Sequence, residues 1–480
     1  MQVNKVIQVL LLALLMLFSM VAISMLLEVR DNTRNIILGA GAFILLLALA
    51  WRGVPIDGKL LFIIILGYAL GGKGFAYVSP FEPIYIGEIS LALCLLFFVT
   101  RPKQMSLFDT PIHKFIWLYV IYAGIHLIID YSNYRLMAIR DSSMAYYSLF
   151  FVTAFSLFHN ERVVDVFERI IKIAIGLAVL SMVYHISRVG IVVTGFAPHT
   201  DAYIPVCVGF VVYFLIIGVE RRKLHFIAMA CIVGLALVAI KTAALMALIA
   251  AAGCAILFGG ITKLIMPAVL LAALGAVVMA IMAFVDLNLA VNMVAGGGTA
   301  ETLGIQGGEF VGFSGTTQWR WLWWTIIYND TMQMAPFWGQ GFGADITGPF
   351  LEAWLGQGYG DATGYARYPH NVVMTVFGRL GLIGLIVFCM MFIAVLSFIL
   401  KFCRSFFPSP QRRDADLICF SIVVAGIVNG ILQATYEIPH SAITHWVCLA
   451  YLVARYYGVI TDRNPKPQLG PEKRADDSQP

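Results

Sequence analysis

Charged residues are scarce in this chain of 480 residues, and their scarcity excludes a water-soluble fold. Asp, Glu, Lys and Arg make up 12% of the sequence and hydrophobic residues make up 60%. A soluble globular protein carries roughly 25% charged residues. A soluble protein of this length would need far more polar surface than the chain offers, so we expect an integral membrane protein.

Cysteine is sparse where it would indicate disulfides or metal binding. The eight cysteines lie in or beside apolar segments, and neither a CxxC pair nor a Cys/His metal spacing occurs. Such cysteines are typical of small buried apolar residues. The cysteines therefore predict no disulfide and no cysteine-bound metal, and we expect no cofactor.

Long apolar stretches are abundant by contrast, and they recur from residue 6 to residue 457. Because they are continuous rather than alternating, they indicate transmembrane helices and not a β-barrel. The run Val6–Leu27 exceeds the core of a signal peptide, which has about 7–15 residues, and is predicted to be a retained first helix. The expected fold class is an all-α polytopic bundle of about 12–14 transmembrane helices. Our count gives fourteen spans: 6–27, 35–51, 60–77, 84–100, 115–129, 143–158, 169–187, 202–218, 225–240, 243–262, 264–285, 380–400, 417–434 and 442–457.

The charges are distributed unevenly along the chain. Residues 286–369 contain seven acidic residues against two basic ones, Arg320 and Arg367, within a chain whose net charge is +5. The positive-inside rule then places the basic connections and both termini in the cytoplasm and 286–369 outside. The stretch 225–262 is either one broken span or two, and two spans keep this topology consistent. A nucleic-acid partner has no support.

The chain is expected to have four regions. They are an N-terminal transmembrane bundle of about 11 spans over 1–285, a large external loop over 286–369, C-terminal transmembrane segments over 370–461 and a disordered cytoplasmic tail over 462–480. The external loop is rich in aromatic residues from Gln318 onward. We predict that residues 317–334 form a helix in the membrane interface, where tryptophan prefers to lie. The alternative is that these aromatics form only an interfacial belt.

His370 follows the external loop and precedes an apolar run that reaches Phe402. As one helix this run would extend about 48 Å, against about 30 Å of hydrocarbon, so we expect it to protrude or to bend at Gly378, Gly381 or Gly384. Pro369 is predicted at the first helical position. His370 and Asn371 would then lie at a helix N-terminus, which favours a neutral imidazole and offers backbone N–H groups to an anion. A capping histidine is the alternative.

Two motifs in this region resemble a known family. His370-Asn371, nine residues, Gly381, two residues and Gly384 resemble the signature of the bacterial O-antigen ligase and O-antigen polymerase superfamily. Upstream, Arg320-x-x-x-Trp324 resembles the arginine and tryptophan that the family has before that histidine. The segment that begins with Pro336 and contains Gly339 and Gly341 resembles the family's Pro-x-x-Gly-x-Gly pattern. Together the motifs cover about 65 residues of the chain.

The resemblance implies a membrane glycosyltransferase with a C-type (GT-C) fold in the bacterial inner membrane. Such an enzyme transfers an undecaprenyl-diphosphate-linked glycan as a whole to a sugar hydroxyl at the periplasmic face, without metal or nucleotide sugar. The acceptor is a lipid-linked repeat unit for a polymerase and a lipid A core sugar for a ligase, and the motifs do not separate the two.

The resemblance also implies roles for individual residues. His370 would deprotonate or orient the acceptor hydroxyl, and Arg320 would hold the diphosphate with its forked guanidinium. The implied substrate-binding residues are Lys241, which stands where the family commonly has an arginine, together with Asn371, Trp324 and Arg367. The glycines and Pro336 would be structural. The competing hypothesis is a transporter or lipid-linked oligosaccharide flippase, because Glu88 and Lys73 lie within or close to spans.

Overall fold

A computed structural model describes residues 51, 53–76, 84–100, 108–189, 312–355, 368–406, 413–432 and 435–460. Several sequence predictions lie outside these residues. They are the six spans 6–27, 35–51, 202–218, 225–240, 243–262 and 264–285, the proposed substrate-binding residues Lys241 and Arg367, and the tail over 462–480.

The described residues form helices and turns, and no β-strand occurs among them. Twelve helices follow one another along these ranges: α1 (Ile56–Ala76), α2 (Ile86–Val99), α3 (Pro111–Tyr134), α4 (Leu136–Asp141), α5 (Ser143–Tyr146), α6 (Leu149–Leu157), α7 (Glu161–Val189), α8 (Gly312–Met334), α9 (Gly348–Leu355), α10 (Val372–Phe406), α11 (Asp414–Leu432) and α12 (Pro439–Tyr456).

Three of these helices are long and apolar enough to cross a membrane: Pro111–Tyr134, Val372–Ser405 and Asp414–Ile431. Two shorter apolar helices cover Ile86–Val99 and Ser143–Leu157. The predicted spans 60–77, 169–187 and 442–457 coincide with helices α1, α7 and α12. The described part of the chain is thus all-helical and has three helices that could span a membrane, and the count of about fourteen spans stays a prediction.

Helix α12 is the centre of the described bundle. It contacts α1, α2, α6, α10 and α11, and every residue from His440 to Arg455 is buried. Small side chains along it, such as Ala442, Cys448, Ala450 and Ala454, allow neighbouring helices to approach closely. The positions of α6, α10 and α11 are therefore set around one buried helix.

One end of the bundle is joined by ion pairs between α7, α11 and α12. Arg413 lies 2.6 Å from Glu168, and Lys172 lies 2.7 Å from Asp414. Deeper in the bundle, Asp416 accepts a bond of 3.4 Å from Arg455, and both side chains are buried. Arg413 follows the basic connection after α10 in the sequence, so this is the end predicted to be cytoplasmic.

Polar residues of a different kind gather at the opposite end of the same helices. Glu88 begins α2, Asp130 and Asp141 lie at the ends of α3 and α4, and Glu437 precedes α12. Arg379 on α10 is the basic residue among them. This end contains the residues singled out in the sequence motifs.

Two predictions about α10 have different outcomes. The predicted bend is confirmed, because Gly381 has non-helical backbone angles (φ 63°, ψ −164°) within α10. The prediction that Pro369 begins the helix is wrong, because α10 starts at Val372. Asn371 occupies the cap position, since its side chain accepts the N–H groups of Val373 and Met374. The predicted helix over 317–334 is confirmed as α8.

Candidate functional site

The break in α10 is filled by the loop that follows α8. In an unbroken helix the N–H groups of Leu382 and Ile383 would bind the carbonyl oxygens four residues earlier. Here the break separates those groups, and residues 336–343 supply a partner for each of the four. The pairs are Gln340 N–Gly378 O (2.8 Å), Gly341 N–Arg379 O (3.0 Å), Leu382 N–Pro336 O (2.9 Å) and Ile383 N–Phe337 O (3.2 Å). We call this arrangement the loop–helix pairing.

The loop–helix pairing explains why three of the motif positions are glycine. A Cβ atom on Gly339 would overlap the backbone of Arg379 and Gly381, and a Cβ atom on Gly381 would overlap the backbone of Phe337 and Gly339. Both glycines also have positive φ angles, 83° and 63°, which other residues adopt with strain. Gly341, with φ 90°, lies against the carboxylate of Asp130. The two sequence motifs are therefore in direct backbone contact.

The remaining structural motif residues have simpler roles. Pro336 supplies a carbonyl oxygen to the loop–helix pairing. Gly384 follows the break and faces Tyr122 of α3, where a Cβ atom would crowd the side chains of Leu380 and Tyr122. The Tyr122 hydroxyl donates to the carbonyl oxygen of Leu380 at 3.2 Å. The glycine at this position thus lets α3 and α10 pack closely beside the break.

Arg379 joins the loop to the bundle, and sequence reasoning missed it. Its guanidinium is buried and lies 2.8 Å from the carboxylate of Asp141. It also donates to the carbonyl oxygens of Gly341 (3.3 Å) and Ala344. The available signal was a lone arginine within an apolar run, since charges at membrane depth are costly and usually paired.

Two acidic residues complete this network from the other side. Asp130 accepts the N–H of Phe342 at 2.7 Å, and Asp141 accepts the N–H of Gly343 at 3.0 Å. Loop residues 341–344 are therefore held by two carboxylates and one guanidinium, all buried. Since each charge has a charged or hydrogen-bonded partner, the network satisfies the condition under which buried charges are tolerated.

His370 and Asn371 form the entry to α10. His370 has a positive φ angle of 53°, which is uncommon outside glycine. The Oδ1 atom of Asn371 accepts the N–H groups of Val373 (2.9 Å) and Met374 (3.2 Å). These two N–H groups are consequently used within the protein, which corrects the expectation that they would be available to a diphosphate.

Helix α8 packs alongside this entry through two tryptophans. The indole N–H of Trp324 donates to the carbonyl oxygen of Pro369 at 2.9 Å. The ring of Trp323 contacts the His370 ring edge to face, with 6.4 Å between the ring centroids, and stacks on the Phe350 ring with 4.6 Å between centroids. Its indole N–H donates to the carbonyl oxygen of Ile346. His370 is half-buried in this position.

Arg320 lies one helical turn before these tryptophans. Residues three and four apart lie on the same side of a helix, so Arg320 shares the α8 face that contacts 369–370. Its side chain is half-buried. The structure thus brings Trp324, His370 and Asn371 into one region and places Arg320 on the same side of α8.

Glu437 is a buried carboxyl group beneath this entry, and sequence reasoning did not single it out. It lies in the turn before α12 and is 3% exposed. Burial raises its pKa from 4.5 to about 8; Thr375 and Arg379 oppose that rise and Asp141 reinforces it. Its backbone carbonyl accepts the Ser143 hydroxyl at 3.1 Å. The Glu437 carboxyl interacts with Thr375, which lies one helical turn after Asn371 on α10.

Glu88, which had suggested transport, is engaged by the surrounding helices. The hydroxyl groups of Tyr146 (2.9 Å) and Tyr147 donate to its carboxylate, as does the N–H of Tyr85 (2.9 Å). Lys73 lies in α1. Within the described ranges, no group of three His, Cys, Asp or Glu side chains could hold a metal ion.

The chain matches no protein-family model, and no characterised protein is significantly similar to it in sequence. A functional assignment therefore depends on the motif residues and on the geometry in which they meet.

Proposed function

We propose that this protein is a membrane glycosyltransferase that transfers a polyprenyl-diphosphate-linked glycan to a sugar hydroxyl at the periplasmic face of the inner membrane. One observation carries the proposal. The two motifs that resemble the O-antigen ligase and polymerase superfamily are 27 or more residues apart in the chain, yet they pair through four backbone hydrogen bonds. This contact is expected if both motifs build a single site.

The chemistry assigned to the site is a displacement at the anomeric carbon. The bond from that carbon to the diphosphate oxygen breaks, and a bond to the acceptor oxygen forms. The acceptor hydroxyl gives its proton to the imidazole of His370, and the lipid diphosphate leaves with both electrons of the broken bond. Arg320 carries the positive charge that the leaving diphosphate requires.

The surroundings of His370 favour its role as a base. His370 directly precedes Asn371, the cap residue of α10, and imidazole is the side chain that most often serves as a general base. Trp323 holds the ring edge to face. Trp324 fixes the preceding carbonyl group, which determines the direction of the chain at residues 369–370. Arg320 and His370 are thus positioned by the same helix face.

The proposal is tested with the purified full-length chain in liposomes that contain a polyprenyl-diphosphate oligosaccharide. Addition of an acceptor should yield a longer lipid-linked glycan or a glycosylated lipid A core, detected by mass spectrometry, with release of one lipid diphosphate per transfer. Movement of the intact donor across the bilayer without any product would instead support a flippase.

Polymerase and ligase are separated by the acceptor that is used. In cells that lack the gene, core bearing a single repeat unit indicates a polymerase. Bare core with accumulated lipid-linked polymer indicates a ligase. No observation among the described residues favours the transporter alternative, because the Glu88 carboxylate serves to join α2 to α5 and the following turn.

A further inference from the structure

Glu437 presents an unsatisfied buried group next to the proposed site. Within the described part of the chain, neither of its carboxyl oxygens has a hydrogen bond of normal geometry, and both are shielded from solvent. Buried polar atoms in proteins are nearly always hydrogen-bonded, and each exception requires an explanation. An ionised carboxylate in this position would be especially costly.

The hydroxyl group of Thr375 explains how the carboxyl can be accommodated. Thr375 interacts with the Glu437 carboxyl, but its hydroxyl donates to the carbonyl oxygen of Asn371 at 3.0 Å. A hydroxyl has one hydrogen and two lone pairs. With its hydrogen directed to Asn371, Thr375 offers Glu437 only a lone pair, which a protonated carboxyl can use and a carboxylate cannot.

Four other groups face Glu437 from the helices packed around it. Asp141 on α4 and Arg379 on α10 act on the carboxyl electrostatically, and Tyr119 on α3 is affected by its charge. Ser143 on α5 binds the backbone carbonyl and not the carboxyl. Arg379 is itself bound to Asp141, so its charge is largely neutralised by that partner. The surroundings therefore favour the neutral acid.

We propose that Glu437 is a proton-switched positioning residue for the entry of α10. In its protonated form it donates to the Thr375 hydroxyl, and Thr375 donates to the carbonyl oxygen of Asn371. On ionisation the carboxyl proton passes to solvent hydroxide. The Thr375 hydroxyl hydrogen then turns to the carboxylate. The carbonyl oxygen of Asn371 loses this hydroxyl and keeps only the backbone N–H of Thr375, at 2.9 Å.

The consequence reaches His370 through one residue. Asn371 caps α10 and is joined directly to His370, whose positive φ angle is maintained by the surrounding structure. Loss of one of the two hydrogen bonds to the Asn371 carbonyl oxygen loosens the residue that precedes α10 and follows the histidine. The importance of this switch rests on the proposed function, because it acts on the same site. Infrared titration and hydrogen exchange can nevertheless detect it without any substrate.

Infrared titration of the full-length protein in nanodiscs tests the protonation. The carbonyl band of a protonated carboxylic acid should disappear as the pH is raised through about 8. This change should be absent in Glu437→Gln and retained in Glu352→Gln, a control at an exposed acid on α9. If Glu437→Gln still showed the same pH-dependent loss of the band as the wild type, the proposal would be overturned.

Hydrogen exchange tests the switch itself. At alkaline pH the first turn of α10 should exchange faster in the wild-type protein than in Glu437→Gln, whose amide keeps donating to Thr375. Thr375→Val should exchange fast at every pH, and Thr375→Ser should behave as the wild type. Equal exchange in the wild type and Glu437→Gln across the titration would contradict the switch.

The activity measurement separates this inference from the proposed function. Glycan transfer by the wild type should fall at alkaline pH, and Glu437→Gln should keep its rate there. If the infrared and exchange results hold while no variant transfers glycan, the proposed function fails and the switch stands. If transfer occurs with the same alkaline profile in both proteins, the switch fails and the function stands.

Discussion

At the scale of single residues, the contact between the loop and α10 depends on buried charged side chains that are paired with one another or with backbone groups. Arg379 is enclosed by Asp141 and by two loop carbonyl groups, and Asp130 binds a loop N–H group. Such a network contributes little net stability when intact, but removal of one partner leaves an uncompensated charge in a dry environment. Among the residues of this network, Arg379 is therefore the one whose substitution should destabilise the protein most.

Replacement of Arg379 tests this view. Arg379→Met should destabilise the protein by about 3–5 kcal/mol, because the buried charge of Asp141 loses its counter-ion. Thermal unfolding in detergent measures the effect, with Lys401→Met as the control on an exposed basic residue of the same helix. Unfolding temperatures that agree for the two variants would show that the Asp141 pair is unimportant.

The pH dependence of stability follows from Glu437. Its pKa is raised on folding from 4.5 to about 8, so the folded state binds a proton that the unfolded state has already released. Stability is then greatest below the lower value and declines as the pH rises toward the higher one. The unfolding temperature of the wild type, measured relative to that of Glu437→Gln, should fall as the pH rises from 4.5 to about 8. A constant difference between the two proteins would refute the assignment.

At the scale of helices and loops, the broken helix and the loop form one element. The break at Gly381 would leave unpaired backbone groups, which are costly inside a protein, and residues 336–343 satisfy them. The loop in turn requires glycine at its closest approach to α10. Neither part can keep its conformation without the other.

Glycine substitutions test this dependence. Gly339→Ala and Gly381→Ala should each disrupt folding or transfer, because the added methyl group overlaps backbone and the φ angles are positive. Gly124→Ala in α3 is the matched control, since no atom lies within 4 Å of its added Cβ. The control should be neutral or more stable by up to about 1 kcal/mol. Wild-type expression and stability of Gly339→Ala would contradict the pairing.

The sequence allowed part of this element to be predicted. The length of the apolar run required a bend, and its glycines were the positions where a bend is easiest. A break at Gly381 could therefore be predicted as one of three possibilities. The aromatic segment 317–334 was likewise recognisable as a helix. The pairing itself was not, because hydrogen bonds between backbone groups leave no signature in side-chain chemistry beyond the glycines.

Other features depended on contacts that are distant in the chain. Asp130 and Asp141 lie about 200 residues before their loop partners, and Glu437 lies in a short turn with no motif. Pro369 was misplaced because a proline suits both the first position of a helix and the extended residues before a cap. The cap position belongs to Asn371, whose short amide side chain binds backbone N–H groups well.

At the scale of the whole molecule, the two ends of the bundle differ in chemistry. One end carries ion pairs among α7, α11 and α12. The opposite end contains the loop–helix pairing, the entry of α10 and Glu437. Since α12 is buried from His440 to Arg455 and connects the two ends, the proposed site lies at the start of a helix that is protected over nearly its whole length.

The orientation of these ends in the membrane can be measured by cysteine labelling. In a background without native cysteines, Trp321→Cys should react with a membrane-impermeant thiol reagent added outside spheroplasts. Arg404→Cys should react only after the membrane is permeabilised. Both positions are exposed, so access is decided by sidedness. The reverse pattern would place the proposed site in the cytoplasm.

The central claim is that Arg320 and His370 perform glycan transfer. The most direct measurement is the transfer rate of purified Arg320→Ala and His370→Ala in liposomes, against Arg404→Ala and His159→Ala at exposed positions away from the site. Loss of a general base should lower the rate by about 10²–10⁴-fold, and loss of Arg320 should abolish the charge on which diphosphate departure depends. Both site variants should insert into the membrane normally and fail to transfer glycan, and both control variants should remain active. Full transfer by either site variant would contradict it.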